Sequence, residues 1–175
     1  MSDARTILVL GGARSGKSAH AQALAELGAE AAGGEMVFIA TAQAYDDEMR
    51  DRIARHRADR DARWRTVEAP LDLVGAIRGE DEAGRVILVD CLTLWLSNLL
   101  LAEADLEAAG AALVDAFAGV RGRLLFVSNE VGFGIVPDNA LARKFRDAAG
   151  RLNQRVAAAC ERVDLVVAGI PMRVK

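Results

Sequence analysis

Cysteine is scarce in this sequence: Cys91 and Cys160 are the only two among 175 residues. Their separation fits no metal-binding spacing. No leader segment is legible, so both read as buried reduced thiols, and the expected compartment is the cytoplasm. Basic runs are missing too. The formal net charge is −3, and no stretch of Lys and Arg is long enough to grip a phosphate backbone, so nucleic acid is not an expected partner. Long apolar runs are also lacking. The richest, LTLWLSNLLLA from Leu92 to Ala102, is too short to span a bilayer and contains Ser97 and Asn98, so no transmembrane segment is expected. Histidine is as rare as cysteine, with His20 and His56 alone.

What is present is apolar and regularly spaced. Hydrophobic residues make up 52% of the chain, much of it alanine, with Val, Leu and Ile runs of strand length. The length suits one domain over residues 1–175 with a core that needs no staples. TILVL reads as a strand buried on both faces and RVILVD as another buried strand; MVFIA and LLFVSN read as strands, and DLVVAG with MRVK as closing the sheet. Between them run helical patterns: roughly Lys17 to Leu27, a charged segment AYDDEMRDRIARHRADR, the apolar stretch from Leu92, about Leu106 to Val120, and a long amphipathic run from Asn139 to Val163. RWRTVEAP is a short extended piece ended by Pro70. This alternation predicts an α/β fold with a mostly parallel sheet and helices on both faces. For the Leu92 helix, with little polar face, a core position and a subunit interface are both open.

The chemistry begins in GGARSGKS, Gly11 to Ser18. It fits GxxxxGK[ST] and sits between an apolar strand and a helix, the context a phosphate loop requires. Gly11 and Gly16 let successive N–H groups wrap a phosphate, and the helix opening at Lys17 aims its positive end at the same anion. Lys17 adds a mobile charge, and the Ser18 hydroxyl can ligate magnesium. For Arg14 and Ser15 a phosphate contact and a plain turn role are both open. VILVD ends in Asp90, placed to hold magnesium or a water, to read a base, or simply to cap the next helix.

His20 lies three residues past Lys17 and reads as packing or a local hydrogen bond. His56 has Arg52 and Arg60 four residues to either side on one helical face, with Arg55, Arg57 and Arg63 nearby. Such neighbours would keep an imidazole neutral and nucleophilic and would neutralise a triphosphate. An ordinary exposed histidine on an Arg-rich helix is the other reading from spacing alone.

GGARSGKS, FIATAQAYDDEMRDRIARHR, WRTVEAP, VILVDCLTLWLSNLL, SNEVGFGIVPDNALARKFRDAAGRLNQRVA and VVAGIP follow one another through nearly the whole chain. In this order they resemble the blocks of the bifunctional adenosylcobinamide kinase / adenosylcobinamide-phosphate guanylyltransferase family of cobalamin synthesis. The resemblance implies a RecA-like P-loop NTPase fold and two reactions. In the first, ATP or GTP phosphorylates the terminal hydroxyl of the aminopropanol arm of adenosylcobinamide. In the second, GMP passes from GTP to the new phosphate through a GMP–histidine intermediate, giving adenosyl-GDP-cobinamide and pyrophosphate, with Mg2+ as cofactor. His56 stands at the family's histidine position. The chain has Arg55 beside it where some relatives have a second histidine, which leaves one candidate nucleophile.

The resemblance also maps GTP contacts onto the loop (Gly11, Gly12, Ala13, Arg14, Ser15, Gly16, Lys17 and Ser18), onto Ala40 and Thr41, onto Arg57, Ala58, Asp59 and Arg60, and onto Glu68 and Asp90. Lys17 and His56 are the implied catalytic residues, and Ser18 and Asp90 the metal-facing ones. Guanine offers N1–H and N2–H donors on one edge, which a carboxylate accepts together. Which of Glu68 and Asp90 does this stays open at this point.

The loop SNEVGFGIVP reads as the substrate-side wall, with Asn129 and Glu130 turned to the corrinoid arm or magnesium, or as a plain connection. Arg143, Arg146 and Asn153 read as phosphate or subunit contacts or as a solvated face. A homo-oligomer, a trimer by the family's habit, is implied. The rival functions are a kinase-only enzyme and a nucleotide-binding regulatory switch. The second should carry an NKxD-type guanine reader, and none is found.

Overall fold

The computed structural model describes residues 4–43 and 62–175. Seven strands form one sheet: β1 (Thr6–Gly11), β2 (Met36–Ala40), β3 (Trp64–Glu68), β4 (Val86–Asp90), β5 (Arg123–Asn129), β6 (Arg162–Val167) and β7 (Ile170–Arg173). The order is β3-β2-β4-β5-β1-β6-β7. All pairings are parallel except β6 with β7. The expected α/β fold is therefore built, with β5 inserted between the loop-bearing β1 and β4.

Successive side chains of a strand face opposite sides, and the core divides accordingly. Ile7 and Val9 of β1, Met36 of β2, Val86 and Leu88 of β4, and Leu125 and Val127 of β5 pack with Ala21, Ala25 and Ala29 of α1 (Lys17–Ala32). Leu8, Val37, Ile39, Ile87, Val89, Leu124 and Phe126 pack on the opposite face. There they meet α2 (Leu73–Glu80), α3 (Leu92–Leu101), α4 (Leu106–Phe117) and α5 (Ala140–Ala159). Alternate residues of each central strand are thus buried on either side, which is why these strands read as unbroken apolar runs.

Helix ends follow local chemistry. Asp72, Asp105 and Asn139 cap α2, α4 and α5 through their side chains, satisfying backbone N–H groups that have no partner inside the helix. α1 runs past the expected end at Leu27 to Ala32. Gly28 lies inside the helix, where the Arg123 side chain crosses the space a Cβ would take, and Gly33, with φ 62°, ends the helix. α4 stops at Phe117, short of Val120. The charged helix expected between Ala44 and Arg60 lies outside the described residues.

Leu92, Trp95, Leu96, Asn98 and Leu99 of α3 are buried within the chain, so one face of this helix belongs to the core, while Leu101 at its end is exposed. Other large exposed apolar side chains are Phe133, Ile135 and Val136 after β5, and Ile170 and Met172 on β7. Among the described residues no helix is long and apolar enough to cross a membrane. Both cysteines are buried and free. Burial pushes the thiols up, Cys91 to about 11 and Cys160 to about 12, so both stay protonated at neutral pH.

Candidate active site

The loop between β1 and α1 is shaped by close packing. A Cβ on Gly11 would run into Ser15 Oγ and lie 2.8 Å from the Val166 carbonyl oxygen. Gly16 has φ 93° and approaches Gly169 of the β6–β7 turn, where the Gly169 N–H donates to the Ser15 carbonyl at 2.8 Å. The turn thus braces the loop from outside. Ser15 is buried, and its hydroxyl has no hydrogen-bond partner. Arg14 is exposed with φ 55°. Lys17 Nζ donates only to the Gly12 carbonyl, at 3.4 Å, and no described carboxylate holds it. Its charge is available to an anion in the loop.

The sheet gathers several residues on the same edge and face. Ala40 pairs with Glu68 on β3 and with Asp90 on β4, and Asp90 pairs with Val127 on β5. Val127 pairs with Val9 of β1. Glu68, Ala40 and Asp90 therefore share one row across the sheet. All three continue the face that carries Trp64, Met36 and Leu88, the face covered by α1. Gly11 and Asn129 pair one side-chain step further along. With strands about 4.8 Å apart, Asp90 stands about 10 Å from β1 and Glu68 about 19 Å from it. The Cys91 thiol, next to Asp90, feels the Lys17 charge as well as the Asp90 carboxylate.

Asp90 does not cap α3. The capping position falls on Cys91, which makes no side-chain cap, and no described residue hydrogen-bonds the Asp90 carboxylate. The Ser18 hydroxyl is likewise unpartnered among the described residues. Both offer hard oxygen ligands, which suits Mg2+, an ion that takes one or two protein oxygens and completes its shell with water and phosphate. Among the described residues no group of three or more His, Cys, Asp or Glu could hold a metal ion.

Thr41 differs from the other expected contacts. It is wholly buried. Its hydroxyl donates to the Cys91 carbonyl at 2.7 Å and accepts from the Cys91 N–H at 2.8 Å. Asn98 Nδ2 donates to the carbonyls of Thr41 and Pro70, at 2.8 and 2.9 Å. Thr41 and Asn98 thus clip the ends of β2, β3 and β4 together, and the Thr41 side chain faces no solvent. His56, Arg57, Ala58, Asp59 and Arg60 lie outside the described residues.

Several polar residues escaped the sequence reading. Asn153 is neither a phosphate ligand nor part of a solvated face. It is buried, accepts from the Ser128 hydroxyl at 2.7 Å and donates to the Asn129 carbonyl at 3.1 Å. Arg143 is spent on the carbonyls of Pro137 and Asp138. Thr93 Oγ1 accepts from the Asn129 N–H at 2.7 Å. Nothing in sequence spacing points to these links, because each joins segments that meet only once the sheet is ordered.

His20 makes a hydrogen bond, but not the local one expected: its Nε2 lies 2.7 Å from Asp164 Oδ2 on β6, because the sheet order brings β6 beside β1. Arg162 grips the same carboxylate at 2.9 and 2.6 Å. The Asp164 side chain is 2% exposed. Burial alone would push its carboxyl up, but the hydrogen bonds from Arg162 and His20 outweigh this and hold it below the usual carboxylate range. A carboxyl lowered on folding contributes stability above its unfolded pKa of about 3.9, and loses it as pH falls through the lower folded value. Asp164→Asn should cost about 3 kcal/mol at neutral pH, because it takes the carboxylate from the Arg162 guanidinium and breaks the link to His20. It should also remove that part of the acid destabilisation. Urea melts at pH 7 and below pH 4 check both; equal stability of the two proteins at pH 7 would refute the role.

Residues 7–174 match the family described as cobinamide kinase / cobinamide phosphate guanyltransferase. The chain is 53% identical over 170 residues to a bifunctional adenosylcobalamin biosynthesis protein, CobP, of Pseudomonas aeruginosa, covering 96% of each chain. It is similar to proteins of like description, CobU, from Escherichia coli (42%) and Salmonella typhimurium (44%). Each of these matches runs over 184 aligned positions and covers 97% of this chain and 99% of the relative.

Proposed function

Because the chain belongs to the cobinamide kinase / cobinamide phosphate guanyltransferase family, we propose that it runs both of the family's reactions on adenosylcobinamide. In the kinase step the arm's hydroxyl oxygen forms a bond to the γ-phosphorus of ATP or GTP. The bond to the bridging oxygen breaks, a nucleoside diphosphate leaves, and the hydroxyl proton ends in water. Lys17 and the loop N–H groups of Gly12 to Ser18 hold the phosphates, and Ser18 and Asp90 hold Mg2+, which supplies charge neutralisation at the phosphates when bound. In the second step His56 attacks the α-phosphorus of GTP, pyrophosphate leaves, and the GMP is passed to the substrate's new phosphate.

The observation that supports this most is the shared edge: the loop, Asp90, Ala40 and Glu68 line one face of the sheet in the order phosphate, metal, base. Asp90, two strands from β1, suits the phosphate and metal end. Glu68, exposed four strands away, suits guanine. Arg57, Ala58, Asp59 and Arg60 belong to the nucleotide site by family position. The cytoplasm and a trimeric assembly complete the reading. Exposed apolar side chains of β7 and of the loop after β5 supply surface for such an assembly.

Two measurements test it. Incubation with adenosylcobinamide, ATP, GTP and magnesium should yield first the phosphate and then the GDP adduct on chromatography; absence of both would reject the proposal. Glu68→Ala should weaken GTP by roughly 1–3 kcal/mol more than ATP, the worth of a charged hydrogen bond, while Asp90→Ala should weaken both alike and raise the magnesium requirement. Nucleotide titrations that show the reverse pattern would exchange the two roles.

A further inference from the structure

We propose that the Asn129 side chain contacts the phosphoryl group in transfer during the kinase step. This assignment rests on the function proposed above and adds a residue to it.

Asn129 ends β5, the strand lying between the phosphate loop and Asp90. It pairs with Gly11, the first residue of the loop motif. It follows Leu125 and Val127 on the face covered by α1, so its side chain belongs to the face that carries Asp90. It stands one strand from Asp90 and one side-chain step beyond it, at the level of the loop. The terminal phosphoryl of a nucleotide seated between Lys17 and an Asp90-bound ion would occupy this level.

The backbone of Asn129 is held unusually firmly. Thr93 Oγ1 accepts from its N–H at 2.7 Å, and Asn153 Nδ2 donates to its carbonyl at 3.1 Å. Asn153 is in turn fixed by the Ser128 hydroxyl. Side chains of α3 and α5 thus clamp both polar groups of one residue at a strand end. The adjacent Glu130 N–H donates to the Gly11 carbonyl at 3.1 Å, tying the strand end to the loop.

The side chain held by this clamp has nothing to do within the fold. The sequence contains four asparagines. Asn98 and Asn153 bond backbone carbonyls, and Asn139 caps α5. The half-buried Asn129 carboxamide alone bonds no described group. Its amide is thus open to a ligand at the loop-facing end of the strand.

The amide carries both polarities the step needs. Nδ2–H can donate to an equatorial oxygen of the transferring group, where charge is spread in a loose transition state, and Oδ1 can accept from the attacking hydroxyl. Asn129 neither takes nor gives a proton. It lines up the oxygen that forms the new P–O bond as the bond to the nucleoside diphosphate breaks.

The test is steady-state kinase kinetics of the full chain with Mg-ATP and adenosylcobinamide, for wild type, Asn129→Ala and Asn129→Asp, with thermal melts alongside. Asn129→Ala should lower kcat on the order of 100-fold, as loss of one preorganised donor does, with both KM values within about threefold. Asn129→Asp keeps the shape but replaces the donor with charge, and should lose at least as much at an unchanged melting temperature. It also decides the matter if the alanine variant fails to fold. A kcat for folded Asn129→Ala within about threefold of wild type would overturn the assignment while leaving the proposed function intact. So would a loss of kcat matched by loss of nucleotide affinity. A wild-type chain that phosphorylates no cobinamide would overturn both.

Discussion

Lys17→Ala should lower the kinase rate by about 10²–10³-fold or more while the protein stays folded. The side chain makes one long hydrogen bond, 3.4 Å to the Gly12 carbonyl, and no described acid neutralises it. Its removal takes little from the fold. What disappears is a positive charge beside the transferring phosphoryl, in a loop braced by the Gly169 N–H. A preorganised donor aimed at charge that develops in the transition state is worth about 3–4 kcal/mol. Turnover assays with adenosylcobinamide, together with a melt, check this. A variant with wild-type turnover would remove the loop from the chemistry.

His56→Asn should separate the two activities. Phosphoryl transfer uses Lys17, Ser18, Asp90 and magnesium, and needs no covalent enzyme intermediate. Guanylyl transfer needs a nucleophile, and the family position assigns it to His56. The variant should form no GMP-protein and no adenosyl-GDP-cobinamide, yet keep kinase activity. His20→Asn is the control. His20 already bonds the buried Asp164 at 2.7 Å, so its loss should touch stability more than GMP attachment. A His56 variant that loses both activities while folded would mean that the two steps share more machinery than proposed.

The strands were legible from sequence because burial on both faces leaves no polar alternation, as in Val86–Asp90 with four buried residues in five positions. The phosphate loop was legible because its chemistry is local: Gly11, Gly16, Lys17 and the Ser18 hydroxyl lie within eight residues. The placement of Glu68 and Asp90 was only half legible. Each could be seen to end a strand, but their common face and row depend on β2 lying between β3 and β4. The polar clips were invisible for the same reason. His20 and Asp164 are 144 residues apart, and Thr41 and Cys91 are 50. The end of α1 was only roughly legible: the helix continues past Leu27 through Gly28, where Arg123 packs close, to Ala32.

The central claim is that one chain both seats a triphosphate in the loop and carries GMP on His56. Incubation with GTP labelled at the α-phosphate and magnesium, followed by digestion and peptide mapping, tests it most directly. The account predicts label on the protein that is lost in acid, kept in base, and recovered on the peptide containing His56. Label that never attaches, or that maps to any other residue, would contradict it.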